Sequence, residues 1–208
     1  CKNYTTPLDT VITSVCDLDY FIAGSHRALT AYYTEPNLVP YLKREPDFIN
    51  VGIANKKTPH DWSGRYIPIG NELIGHPLLI YAKDDVGHKS SKIGMQATFH
   101  ELGHASHYWV NPVYYLTKYE ARTKEMESWA NGVAYAYARA LLGEEYEWND
   151  HYSEVYTRLV ESLLMNGFTM EQIQSDFYVS DGWGDWQSIM RARSDKPISD
   201  QQLDLIFD

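Results

Sequence analysis

The stretch Ala97-Thr98-Phe99-His100-Glu101-Leu102-Gly103-His104-Ala105-Ser106-His107-Tyr108-Trp109-Val110 puts three histidines and one glutamate into the eight positions from His100 to His107. Ile93, Met95 and Phe99 precede the cluster at helical spacing and Trp109 follows it, so the segment reads as one helix. Ser90 or Ser91 can cap its start. Asn111-Pro112 ends it after Trp109, because the residue before a proline is pushed out of helical geometry. Helical geometry then sorts the histidines. Residues four apart share a face and lie about 6 Å apart along the axis, so His100 and His104 can reach one ion. His107 has nearly the right angle, but it stands about 10 Å along the axis from His100. One straight helix cannot wrap three such ligands around a tetrahedral ion. His107 is therefore expected to touch substrate or to pack near Trp109, not to bind this metal.

His100-Glu101-Leu102-Gly103-His104 is H-E-x-x-H. Two imidazoles on one helical face suit Zn²⁺ at ordinary Zn–N distances of about 2 Å. Glu101, beside His100, is placed to hold a metal-activated water and take its proton. A catalytic zinc needs three protein ligands and an open position. The following segment offers Glu120, Glu125 and Glu127. Glu127 is the candidate third ligand. Asn131 lies one turn beyond it and can orient a ligand histidine by hydrogen bonding. Small Ala130, Gly132 and Ala134 suit close helix packing against the first helix. Glu125 is two residues from Glu127, on roughly the opposite face, so the two cannot both serve.

His100-Glu101-Leu102-Gly103-His104, followed by Glu127-Ser128-Trp129-Ala130-Asn131-Gly132-Val133-Ala134, resembles the gluzincin metallopeptidases. The 23 positions from His104 to Glu127 fit that group's range. The glutamate helix is similar to that of the ImmA and IrrE-type proteases, and H-E-L-G-H-A-S-H to that of the thimet oligopeptidase-like family. The resemblance covers roughly residues 90–140. It implies that His100, His104 and Glu127 bind zinc and that Glu101 is the general base. It also implies a zincin-like fold. Asn131 stands where several gluzincins carry aspartate, and a neutral partner raises a histidine's basicity less. The metzincin pattern fails, since His107 and Val110 occupy the positions of its glycine and its third histidine.

Patterning elsewhere points to an α+β chain, with a small N-terminal sheet on the active-site helix and a mostly helical C-terminal half. We expect a single domain, with a β-containing lobe over about residues 1–110 and a helical lobe over about 111–208. Asp17 to Tyr33 can hold a helix. Residues 48–53 and 77–82 are short apolar runs that read as strands, and Tyr66-Ile67-Pro68-Ile69 as an edge strand. Further helices are expected at about Arg122–Leu142 and His151–Met165, then from the Thr169–Gln172 capping box, and from Ser199 to the C-terminus. Gly182 to Trp186 reads as a loop.

The formal charge of −10, without a Lys/Arg cluster longer than a pair, argues against nucleic acid or an anionic membrane as partner. No run of 18 apolar residues is present, so no transmembrane helix is expected. Cys1 and Cys16 can pair in an oxidising compartment. Cys1 also resembles the lipid-bearing end of a bacterial lipoprotein, and Asn3-Tyr4-Thr5 is a glycosylation sequon. These features lean towards an extracytoplasmic protein.

The expected activity is zinc-dependent hydrolysis of peptide or protein substrates. The alternatives are a non-catalytic binding or regulatory module on the same scaffold, and a zinc hydrolase of non-peptide amides. Tyr152, Tyr156, Tyr178 and His151 are candidates to stabilise the oxyanion, with Tyr178 preferred as a loop residue. Residues 77–83 could offer a strand edge to an extended peptide, or be a buried central strand. Asp84-Asp85-x-x-His88 could bind a second ion or form an acidic turn, and His60-Asp61 reads as a loop.

Overall fold

The computed structural model describes residues 18–44, 49–58, 63–68, 77–143 and 153–208. Cys1, Cys16, the Asn3 sequon, His60-Asp61, His151 and Tyr152 lie outside the described residues. The chain is α+β, a small sheet followed mostly by helices. It divides into two compact units, Cys1–Pro36 with Glu45–Ala105, and Asn37–Arg44 with Ser106–Asp208. Sequence patterning sets the boundary near residue 110; the division falls five residues earlier, inside a helix, and the segment 37–44 groups with the second unit.

The first unit contains α1 (Leu18–Thr34), β1 (Val51–Ala54), β2 (Gly64–Tyr66), β3 (Leu78–Tyr81) and most of α2 (Ser91–Val110). Among the described strands the order is β1-β3-β2, with β1 parallel and β2 antiparallel to β3. The apolar run of β3 is explained by this central position, since a strand with neighbours on both sides is sheltered along its length. Phe21, Ile80, Ala82 and Ala97 form the core here, with Leu18, Val51 and Ile53 against it. Helices α1 and α2 cross at two glycines. A Cβ on Gly24 would sit 2.0 Å from the Ser91 carbonyl oxygen, and one on Gly94 would sit 2.5 Å from that of Phe21. Ser25 and Thr98 share a buried hydroxyl–hydroxyl hydrogen bond of 2.7 Å at the same crossing.

The second unit holds the last turn of α2, then α3 (Pro112–Lys118), α4 (Thr123–Leu142), α5 (Leu159–Met165), α6 (Met170–Val179), α7 (Trp183–Ala192) and α8 (Asp200–Phe207). Arg44 ties in the segment 37–44 by donating to the Leu42 and Val39 carbonyls and the Tyr137 hydroxyl. The core is aromatic. Phe177 packs with Trp129 at 5.1 Å and Trp186 at 4.9 Å between ring centroids, and Phe207 closes on Trp183 and Trp186. Truncating a buried ring of this kind costs about 3–5 kcal/mol.

One local expectation is extended and three are corrected. Asn111-Pro112 ends α2 but also opens α3, because the Asn111 side chain accepts from the Tyr114 amide and proline suits the first helical turn. The helix expected from His151 starts only at Leu159. The Ser153 hydroxyl takes the Val155 and Tyr156 amides and the Thr157 hydroxyl takes that of Leu159, which diverts this backbone from helical bonding. Gly182 to Trp186 is not a loop: Gly182 starts α7, and Trp186 and Met190 are its buried side. Tyr178 lies inside α6. The Thr169/Gln172 capping box of α6 forms as expected; Ser199 caps α8 as expected, and Gln202 completes a second capping box there.

Candidate metal centre

Ser90 stands just before α2; its carbonyl accepts from the Gly94 amide and its hydroxyl from that of Ile93. The helix continues past the whole motif, so His100 and His104 fall on one face as their spacing requires. Their Nε2 atoms are 3.2 Å apart and their rings meet edge to face, 4.8 Å between centroids. Two nitrogens bound to one tetrahedral zinc at about 2.0–2.1 Å would stand about 3.3 Å from each other. The pair therefore already holds the spacing of one edge of such a site.

Glu127, on α4, completes a group that could hold a metal ion: one ligand atom from each of His100, His104 and Glu127 lies within 4.8 Å of the others. It is the group of this kind found among the described residues. His104 and Glu127 are 3% and 4% exposed, and His100 is half-buried. Two imidazoles and one carboxylate make a donor set that suits zinc, though other divalent transition metals accept the same ligands. Glu101 is buried, 5% exposed, next to His100 in sequence. Gly64 on β2 lies against it. A Cβ there would come within 2.7 Å of Glu101 Oε1 and 2.8 Å of its Cγ. A residue without a side chain is thus what gives the Glu101 carboxylate its place. Strand β2 is also an edge among the described strands, whereas β3 is paired on both sides, the central one of the two placements its sequence allows.

The other acids separate as helical angle predicts. Glu125 is buried at 6% exposure, 3.6 Å from the Arg122 guanidinium. Burial pulls Arg122 below its ordinary pKa, and Glu125 acts against that shift. Arg122 also donates to the Ser180 carbonyl and hydroxyl. Glu120 is exposed. Glu127 instead accepts a hydrogen bond on Oε1 from the Tyr119 hydroxyl. Nothing in the sequence marks Tyr119, because a 3-10 turn separates it from the helix of Glu127 and breaks the register that would relate them. Asn131 is half-buried one turn beyond Glu127. Gly132 serves the crossing of α4 with α5, where a Cβ would sit 2.2 Å from Val160.

His107 is 2% exposed. It stacks on Tyr178 at 5.3 Å and 19°, with Phe177, Tyr115 and Tyr114 around it. Of the two expectations for it, packing describes its surroundings. Tyr178 shares them. Its hydroxyl is raised well above the ordinary tyrosine range by burial, with the Ser106 side chain acting weakly against that shift. Asp84 closes a turn by accepting from the Val86 and Gly87 amides, Asp85 pairs with Lys57, and His88 bonds Asn55. That is the acidic-turn arrangement.

No family model, curated protein or solved structure matches the chain.

Proposed function

We propose that the protein is a zinc-dependent peptidase of the gluzincin type, with a zincin-like fold. The observation that carries the proposal is the convergence of His100, His104 and Glu127 with a buried Glu101 beside them. Two histidines alone are common on helices. A third ligand from a different helix, together with an acid next to the first histidine, is what hydrolytic zinc chemistry requires.

A zinc ion bound there would supply Lewis acidity, polarising the scissile carbonyl and lowering the pKa of water to about 7. The chain's own residues would do the rest. Glu101 takes the proton from the attacking water and delivers it to the leaving amine. Its buried setting and the close backbone of Gly64 hold the carboxylate in place for both transfers. As an edge among the described strands, β2 is suited to receive an extended peptide by main-chain hydrogen bonds, running past the base. Cys1 and Cys16 are what an exported chain would carry, so an extracytoplasmic location belongs to the same proposal.

The test compares wild type with Glu101→Gln for zinc content and for hydrolysis of an unstructured protein such as casein. We expect both to hold about one zinc, and the variant to lose about 10²- to 10⁴-fold in rate. Equal rates would remove Glu101 from the mechanism. Zinc binding without hydrolysis in wild type would favour a binding module or a non-peptide amide as substrate.

A further inference from the structure

We propose that Tyr119 is a positioning residue for the metal ligand Glu127, and that it makes Glu127 a one-oxygen ligand. The inference rests on the metal-binding reading above and concerns a side chain outside the ligand set.

The backbone of Tyr119 is pinned from both sides. Its amide donates to the Tyr115 carbonyl at 3.1 Å. Its carbonyl accepts from the Arg122 amide at 3.2 Å and from the Thr123 hydroxyl at 3.0 Å. Its ring packs on Tyr115, 5.4 Å between centroids. The phenol is thus a rigid arm with few rotatable bonds, and its hydroxyl donates to Glu127 Oε1. Glu127 itself rises from the second turn of α4, whose neighbouring residues Met126, Ser128, Trp129 and Ala130 are buried.

A carboxylate has two oxygens and about four lone-pair directions. A free glutamate beside a divalent ion can swing between one-oxygen and two-oxygen binding. A donor fixed on Oε1 fixes the carboxylate plane and draws that oxygen away from a shared, chelating position. The ion then receives two imidazoles and one oxygen, and a fourth position stays open for water, as hydrolytic zinc requires. A chelating Glu127 would crowd that position.

Removing the hydroxyl alone, by Tyr119→Phe, tests this. Zn²⁺ affinity is measured by competition with a chromogenic chelator, and ligand geometry by the visible absorption of the Co²⁺-loaded protein. We expect affinity to fall about 10- to 100-fold, the usual loss for an outer hydrogen-bond partner. We expect the Co²⁺ bands to weaken towards a five-coordinate pattern, while the metal-free melting temperature is unchanged. Wild-type affinity with a wild-type Co²⁺ spectrum overturns the proposal. So does an affinity loss that comes with a lower metal-free melting temperature and an unaltered Co²⁺ spectrum, because that combination marks a merely structural tyrosine. Should wild type bind neither metal, the ligand group itself is wrong and this assignment falls with it. That outcome is told apart by the parent protein alone.

Discussion

Glu125 and Glu127 lie two residues apart on α4, both buried, and their surroundings differ in kind. Glu125 faces a buried arginine, which also bonds Ser180 and lies over the rings of Tyr114 and Phe177. Glu127 meets a neutral phenol and shares its space with two histidines. A carboxylate on an arginine already has its countercharge, and removing either partner strands the other away from water. A carboxylate oriented by a hydroxyl keeps its charge available for a cation. Burial alone does not separate a structural acid from a ligand. The partner on the other side does.

The sharpest way to break this contrast is to delete each acid in turn. Glu127→Ala should lower zinc affinity by more than the about 100-fold that marks the upper range for outer partners. Glu125→Ala should leave zinc affinity as it was, but lower stability by about 3–5 kcal/mol in a denaturant titration, because Arg122 then remains buried without its carboxylate. Equal losses of zinc affinity in the two variants would sink the ligand assignment.

The next effect is expected at Gly64. Gly64→Ala forces Glu101 out of its place, an overpacking of about 1–3 kcal/mol, which as a barrier is about 10- to 100-fold in rate. Zinc affinity should not change, since Glu101 is not a ligand. A steady-state assay beside a zinc titration separates the two, and unaltered kcat/KM would show that Glu101 has room to spare.

The smallest effect concerns an acid that is both paired and exposed. Hydrogen bonds from Arg193, then Gln172, hold the Asp195 carboxyl down at about 2, below its ordinary 3.8. A depressed carboxyl stabilises the fold above its unfolded pKa, and that contribution is lost as pH falls through the folded value. Asp195→Asn should therefore flatten the acid limb of the stability curve only between about pH 4 and pH 2. Zinc binding at neutral pH should be untouched.

What could be read from the chain follows the range of the interactions involved. The ends of α2 and α4, the Thr169–Gln172 capping box, the Ser199 cap and the alignment of His100 with His104 depend on residues within a turn or two of each other. Glu127 was reachable because helical angle separates it from Glu125. The misses have another origin. Helix α7 was hidden because Gly182 and two tryptophans look like a turn, although Trp186 and Met190 are its buried stripe. The late start of α5 depends on hydroxyls competing for backbone amides. The β3 segment reads equally as an edge or a centre until its partners are known. Gly64 against Glu101 and Tyr119 on Glu127 join residues of different elements, so only the folded chain brings them into view.

The aromatic enclosure of His107 has a spectroscopic consequence. Its imidazole lies nearly parallel to the Tyr178 ring at 5.3 Å, with Phe177 at 4.6 Å. Its carbon-bound protons therefore feel the ring currents of these neighbours, whereas those of His100 and His104 would answer to an ion bound by the candidate group. Three histidines crowded into eight positions of sequence are in this way given separate surroundings in a proton spectrum, two in the candidate metal group and one that reports on the packing of the helical unit.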